Sequence, residues 1–394
     1  MRTTNRSIRA AAAGVVLAAS GALLAAAPAQ AAPADPLPAQ AVPADAAVTA
    51  TTHGVVFVQT DNTDGNSVVA YHRASDGALT QAGVYPTGGC GGILGGSVVD
   101  HLASQHSLVY DQEHQLLYAV NAGSDSVTVF RVEGDRLVRT QVVSSGGDFP
   151  VSVAVHGDRV YVLNALDGGS VQGFVRVGSQ LVSVADWHRS LGLDPSATPQ
   201  FTNTPAQVSF TPDGSALVVT TKANGNSIDV FPFNWDGMPS AKPVKNVEPD
   251  AVPFGFTFDS AGRLVVTEAG PNAVAVFTLA RDGRATPLGS VTTGQSATCW
   301  IVRNGDVYYA SNAGSASLSG FRQGRHGVLT SIGTTSTDPG TTDAAVSPDG
   351  RNLYVQTGGA GVVNEFRVHA NGSLSPIGSV TVPGGIGGEG IVAS

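Results

Sequence analysis

The chain has little of what usually announces chemistry. Its 394 residues contain 2 cysteines and 2 methionines, with 6% aromatic and 13% charged residues. There is no G-x-S-x-G nucleophile elbow and no H-E-x-x-H helix motif. No Cys/His cluster has zinc spacing, and no D-x-D-x-D-G calcium loop occurs. No metal or cofactor is therefore expected. Positive charge is also short, with 21 Lys plus Arg against 30 Asp plus Glu and a formal charge of −9. That balance argues against nucleic acid or an anionic membrane as partner, since both need a basic footprint. The Gly-rich run Gly88-Gly89-Cys90-Gly91-Gly92-Ile93-Leu94-Gly95-Gly96 lacks the Lys-Ser/Thr ending and the strand-to-helix setting of a phosphate loop. It reads as a flexible cover for a cleft. Beyond the first 31 residues, no stretch is long and apolar enough to cross a bilayer.

What is present begins with an export signal. Arg2, Arg6 and Arg9 precede the small apolar run Ala10 to Ala27, and Ala29-Gln30-Ala31 is an A-x-A cleavage site. Residues 1–31 are expected to be removed and the mature protein secreted. Losing three arginines takes the formal charge from −9 to −12. Residues 32–53 are Ala/Pro-rich and read as a disordered linker. In an exported chain the even pair Cys90 and Cys299 is expected to form a disulfide.

From residue 54 to 394 one unit recurs. Its clearest copy is Ser209-Phe210-Thr211-Pro212-Asp213-Gly214-Ser215-Ala216-Leu217-Val218-Val219-Thr220, which reads strand, turn, strand. Pro presets φ, Asp caps its own backbone and Gly takes the positive φ. The unit returns at Val346-Ser347-Pro348-Asp349-Gly350-Arg351-Asn352-Leu353-Tyr354-Val355. The aromatics Tyr71, Phe130, Phe174, Phe231, Phe277, Phe321 and Phe366 set the period; by subtraction their intervals are 59, 44, 57, 46, 44 and 45 residues. Units of this length with four short strands each predict a β-propeller. The first unit lacks an innermost strand, and Gly390-Ile391-Val392-Ala393-Ser394 is a strand without followers. The C-terminal strand is therefore expected to complete the first blade, giving an all-β, seven-bladed ring of four-stranded blades and a monomer.

Both long intervals place their insertions between blades, at Pro86 to Gln105 and Asp186 to Pro205. The working site is expected under them, at the channel mouth on that face. Alignment on the turns puts Ser107 with His106, Ser152, Gln207, Gly255, Cys299, Asp343 and Glu389 at the starts of the innermost strands. It puts Asn121, Asn164, Lys222, Glu268 and Asn312 at the ends of the second strands. Glu268 stands where its siblings carry Asn or Thr, so it is the leading candidate base, with Glu389, Asp343 and His106 as the other catalytic candidates. Asn121, Asn164, Gln207, Lys222 and Asn312 are candidate substrate-binding residues. The Asn residues also suit a plain corner cap.

The repeated Pro-Asp-Gly-x-x-Leu-Tyr-Val pattern and Tyr118-Ala119-Val120-Asn121-Ala122-Gly123-Ser124-Asp125-Ser126-Val127-Thr128-Val129-Phe130 resemble the seven-bladed lactonase family. So do the Asp/Asn-Gly-x-Leu hairpins. That family includes propeller-type 6-phosphogluconolactonase and carboxymuconate cyclase. The resemblance implies opening or closing of lactone rings without an obligatory metal, by His, Arg and Glu near the channel mouth. This chain departs in having Gln207 where His is expected and no Arg at the rim positions. A neutral or weakly charged lactone is the substrate it implies. A non-catalytic propeller binding a ligand or extracellular protein on the same face is the alternative.

Overall fold

The structure, a computed structural model, describes residues 54–394. The expected signal and linker, residues 1–53, lie outside the described residues. Seven antiparallel sheets follow one another, each numbered here as a blade. The innermost strands are Ile391–Ala393, Leu108–Asp111, Pro150–His156, Pro205–Phe210, Pro253–Phe258, Thr298–Asn304 and Thr341–Val346, for blades 1 to 7. Blade 1 is ordered Ile391–Ala393, Val55–Gln59, Ser67–Arg73, Leu79–Pro86, so the C-terminal strand closes the ring. Val56, Phe57 and Val58 face Ala393, Val392 and Ile391. Gln59 N donates to Gly390 O at 2.8 Å, and Ser394 N to Val55 O at 2.8 Å. Closure pairs the inner edge of Val55–Gln59, which would otherwise be open, with the C-terminal strand. Blade 3 differs slightly from a four-stranded plan: Arg189–Ser190 also pairs with its third strand, Ser170–Val177, beyond Gln180–Ser183.

The turn chemistry is as read. In blade 4, Gly214 takes φ +67° and its N–H closes the turn onto Thr211 O at 2.8 Å. Asp213 accepts from Ser215 N, Ser215 Oγ and Thr211 Oγ1, and these donors hold its carboxyl down at about 2. The period-setting aromatics are all buried between blades. The blades are pinned by hydroxyls as well as by apolar area: Tyr71 donates to Thr381 O and Tyr354 to Gly77 O, each at 2.8 Å.

The innermost strands carry one recurring irregularity. Blades 3 to 7 each have a bulge near the strand start, at Pro150/Ser152, Pro205/Gln207, Pro253/Phe256, Thr298/Ile301 and Thr341/Ala344. A bulge frees backbone groups from the ladder, and buried groups need partners. Here the partners are channel residues. Val153 N donates to His106 O, Val208 N to Ser152 Oγ and Phe256 N to Gln207 Oε1. Ile301 N donates to Gln105 Oε1, and Ala344 N to Asp343 Oδ1. Much of the polar rim seen in the sequence is therefore also the lining that satisfies the bulges.

Candidate functional site

The first insertion does not lie over the channel as a cover. It runs down into it. Leu102 to Gln105 are buried. Gln105 spans the axis: Nε2 donates to Ile301 O at 2.8 Å while Oε1 accepts Ile301 N at 3.0 Å. Ser104 Oγ donates to Val151 O at 2.8 Å, and Trp300 Nε1 donates to Ser104 O. Blades 3 and 6 are thus stitched through one plug. Ala103 and His106 adopt left-handed backbone, φ +49° and +70°. For residues with a Cβ this costs roughly 1–2 kcal/mol each, a strain the surrounding hydrogen bonds must hold.

The plug divides the channel in two. On the insertion face lies a closed ionic cluster of Asp61, Asp100, Lys222 and Glu389, all buried. Lys222 Nζ donates to Ala103 O at 2.7 Å and sits 5.4 Å from the centre of the Phe254 ring. Glu389 accepts from Ser104 N at 3.1 Å and lies against Ser104 Oγ, whose single hydrogen is shared between Glu389 and Val151 O, and its own N–H donates to Asp61 Oδ2 at 2.8 Å. Burial pushes the Glu389 and Asp100 carboxyls up; Asp100's charge raises Glu389 further, while hydrogen bonding to Glu389 and the Lys222 charge pull Asp100 back. Both carboxyls are raised together, which favours one proton held between Glu389 and Asp100. Burial lowers Lys222 to about 8, opposed by Asp100 and Glu389. Among the described residues, no group of three or more His, Cys, Asp or Glu is arranged to hold a metal ion.

On the other face, where the tight turns lie, the channel opens as a funnel of about 560 Å³. That size suits a small ligand. All seven innermost strands contribute walls, with Val109, Val153, Ile301 and Val346 among them, and the exposed lining is more polar than apolar. Gln105, His106 and Asp343 form the polar floor. Asp343 is held by the N–H groups of Ala344, Ile391 and His106, yet burial outweighs them and raises it to about 7. His106 keeps part of its surface open to the cavity, while the surrounding protein lowers it to about 4. The ring is neutral at neutral pH.

Gln207 decides which nitrogen carries the proton. Its Oε1 accepts Phe256 N at 2.6 Å and its Nε2 donates to Phe256 O at 3.0 Å, so the amide cannot be reversed without setting donor against donor. The same Nε2 stands 3.3 Å from His106 Nδ1. Nδ1 is therefore the acceptor and Nε2 keeps the hydrogen, leaving an N–H donor for the cavity.

The structure brings His106 and Asp343 together and separates the other candidates from them. Glu389 and Lys222 lie behind the plug. Glu268 is half-buried at the end of blade 5's second strand, raised to about 7 by burial and then by Glu248. It is not part of the funnel lining. Asn121 and Asn312 are corner clamps: Asn121 Nδ2 reaches Ser126 Oγ and Thr128 Oγ1, and Asn312 Nδ2 reaches Ser317 Oγ and Ser319 Oγ. Asn164, also buried, donates to Ser145 O. The expected disulfide is corrected, since both cysteines are free. Cys299 is buried beside the ionic cluster, whereas Cys90 is fixed at blade 2's corner by Ser124 Oγ and Gly123 N. The open funnel lies on the face opposite the insertions, whereas the working site was expected on the insertion face. Asp61, Asp100, Ser104 and Gln105 escaped sequence reasoning. The signal available was Leu102-Ala103 inside an interblade insertion, too apolar for a stretch left in water. Arg303, at the funnel wall, also escaped; its Nε and Nη1 are tied to Gly305 O and Phe258 O.

Fold and funnel define a seven-bladed propeller with a plugged axial channel and a concave polar-floored site. The sequence model described as "Lactonase, 7-bladed beta-propeller" matches residues 39–299, and the chain belongs to that family. No curated protein sequence matches significantly. Among solved structures, it is similar to a protein assigned as a 6-phosphogluconolactonase from Bacteroides fragilis NCTC 9343 (20% identity, 88% of this chain and 98% of that one, TM-score 0.68). It is similar to the periplasmic gluconolactonase of Pseudomonas aeruginosa (19%, 86% and 98%, 0.69). A virginiamycin B lyase from Staphylococcus aureus shares the fold more loosely (13%, 71% and 85%, 0.52).

Proposed function

We propose that the protein is an exported hydrolase that opens a small lactone in the funnel. Family membership supports the reaction class, and one observation supports the site: Gln207 fixes His106 as a neutral Nε2–H donor on the same floor as Asp343. Acyl transfer needs these two functions, a base for water and a donor for the oxyanion. Ionised Asp343 takes a proton from water as its oxygen attacks the lactone carbonyl carbon. His106 Nε2–H stabilises the negative oxygen that forms. The tetrahedral intermediate collapses with cleavage of the ring C–O bond, and the proton held by Asp343 passes to the leaving alkoxide. The product is the open hydroxy acid, and water is the only co-reactant.

The sign of the pH dependence follows. Asp343 is a base only when ionised, so kcat/KM rises with pH through about 7 and then levels. His106, already neutral above about 4, adds no limb in that range. The test is pH-stat titration of the mature protein on aldonolactones, acyl-homoserine lactones and aliphatic lactones, beside Asp343→Asn and His106→Phe. Turnover lost in both variants is the expected result. No turnover on any lactone, or a rate that falls as pH rises past 7, sinks the reading.

A further inference from the structure

The charged residues behind the plug do not touch the funnel, yet they hold the segment that carries His106. Lys222 grips the Ala103 carbonyl at 2.7 Å, and Glu389 grips both the N–H and the hydroxyl of Ser104. His106 is two residues further on. Ala103 and His106, at the two ends of that span, both have left-handed backbone, which neither residue would hold unaided. Gln105, between the grip and the imidazole, is fixed at both ends of its amide to Ile301. The span therefore has no slack in which a change at Ser104 could be absorbed.

From this geometry we infer that Glu389 and Lys222 are positioning residues: by clamping Ala103 and Ser104 they set where His106 meets Gln207 and presents its Nε2–H to the funnel. The inference rests on the reading of His106 as the oxyanion donor. The groups that face Glu389 are Asp100 and Asp61, with Lys222 opposite; Cys299 and His101 border the cluster. Asp61 accepts the Glu389 N–H, and Asp61 O meets His101 Nδ1 at 3.1 Å. Within this set Glu389 accepts from the Ser104 N–H and shares a proton with Asp100. An amide likewise puts an acceptor oxygen on one arm and a donor nitrogen on the other, with one further N–H. Glutamine should therefore replace Glu389 without loss, whereas a general base cannot be replaced in this way.

The experiment uses the full chain labelled with ¹⁵N-histidine, with His106 identified from the spectrum of the His106→Phe variant. It reads the ring-nitrogen pattern and the lactone kinetics together. In Glu389→Ala, and in the milder Ser104→Ala, the fixed Nε2–H pattern is expected to give way to averaging between tautomers. kcat should fall by roughly 10²-fold with KM little changed, as for a displaced catalytic group. Glu389→Gln should keep both the pattern and the rate. If Glu389→Gln loses the rate as fully as Glu389→Ala while His106 stays fixed, Glu389 is itself a reacting carboxylate and the inference falls. It also falls if Glu389→Ala and Ser104→Ala leave tautomer and kcat unchanged. A chain that opens no lactone but whose His106 tautomer depends on Glu389 overturns the hydrolase reading and leaves the positioning role standing.

Discussion

Replacing Asp343 by asparagine tests the site through stability as well as through rate. A carboxyl at about 7 in the folded protein and near 3.8 when free keeps, over that interval, a proton the unfolded chain has released. Stability from this group is fully present below about 4 and is lost as pH rises to about 7, after which it is constant. At about 1.4 kcal/mol per tenfold, the whole interval corresponds to roughly 4 kcal/mol. Water in the funnel reaches one side of the carboxyl, so a change of about 2 to 4 kcal/mol is expected between pH 4 and 7. Asparagine does not titrate. Urea unfolding of the two proteins at several pH values gives the difference directly. Asp61, Asp100 and Glu389 titrate in both chains and largely cancel. The difference should move in favour of Asp343→Asn as pH rises, while activity is abolished at every pH. Parallel stability curves across pH 4 to 7 would refute the account of Asp343 as a carboxyl raised by burial, and with it the reason for placing the base there.

Other consequences can be checked without substrate. Truncation at Gly387 removes the innermost strand of blade 1 and its pairing to Val56–Val58. It should lower the single melting transition of the ring rather than add a minor early one; unchanged melting contradicts closure. Gly255→Ala places a Cβ 2.2 Å from Gln105 Oε1 and 2.8 Å from Cys299 O. Overpacking there should cost about 1–3 kcal/mol, with hydrogen exchange at Ile301 N–H accelerated as the Gln105 clamp loosens. A neutral substitution means the plug is not seated on blade 5.

The propeller could be read from sequence because its determinants are local. Pro-Asp-Gly fixes a turn within three adjacent residues, and a buried aromatic every 44 to 59 residues marks each blade. Ring closure was legible for a related reason: a missing strand at one end and a surplus strand at the other have one mutual solution. The site was legible only in part. His106, Asp343 and Gln207 were found by counting from turns, since strand starts line a channel whatever their identity. Their roles were not, because a role depends on partners distant in sequence. Gln207 fixes the His106 tautomer only because Phe256, one blade on, holds both ends of its amide.

The path of the Pro86 to Gln105 insertion was the least accessible feature, and it accounts for most of what was missed. An insertion of that length can lie over the channel or descend into it with the same local sequence. The choice is made by whether the interior can satisfy its backbone. Here the bulged strands supply donors and acceptors facing the axis, and Gln105, Ser104 and His106 O complete them. Bulges and plug thus depend on each other. Without the plug segment the bulges of blades 3 and 6 would leave the N–H groups of Val153 and Ile301 unpaired, and the plug would carry unpaired carbonyls without Lys222 and Trp300. That mutual dependence closes one end of the channel and leaves the other as a funnel, with His106 at the end of the plug segment and Asp343 on blade 7's innermost strand.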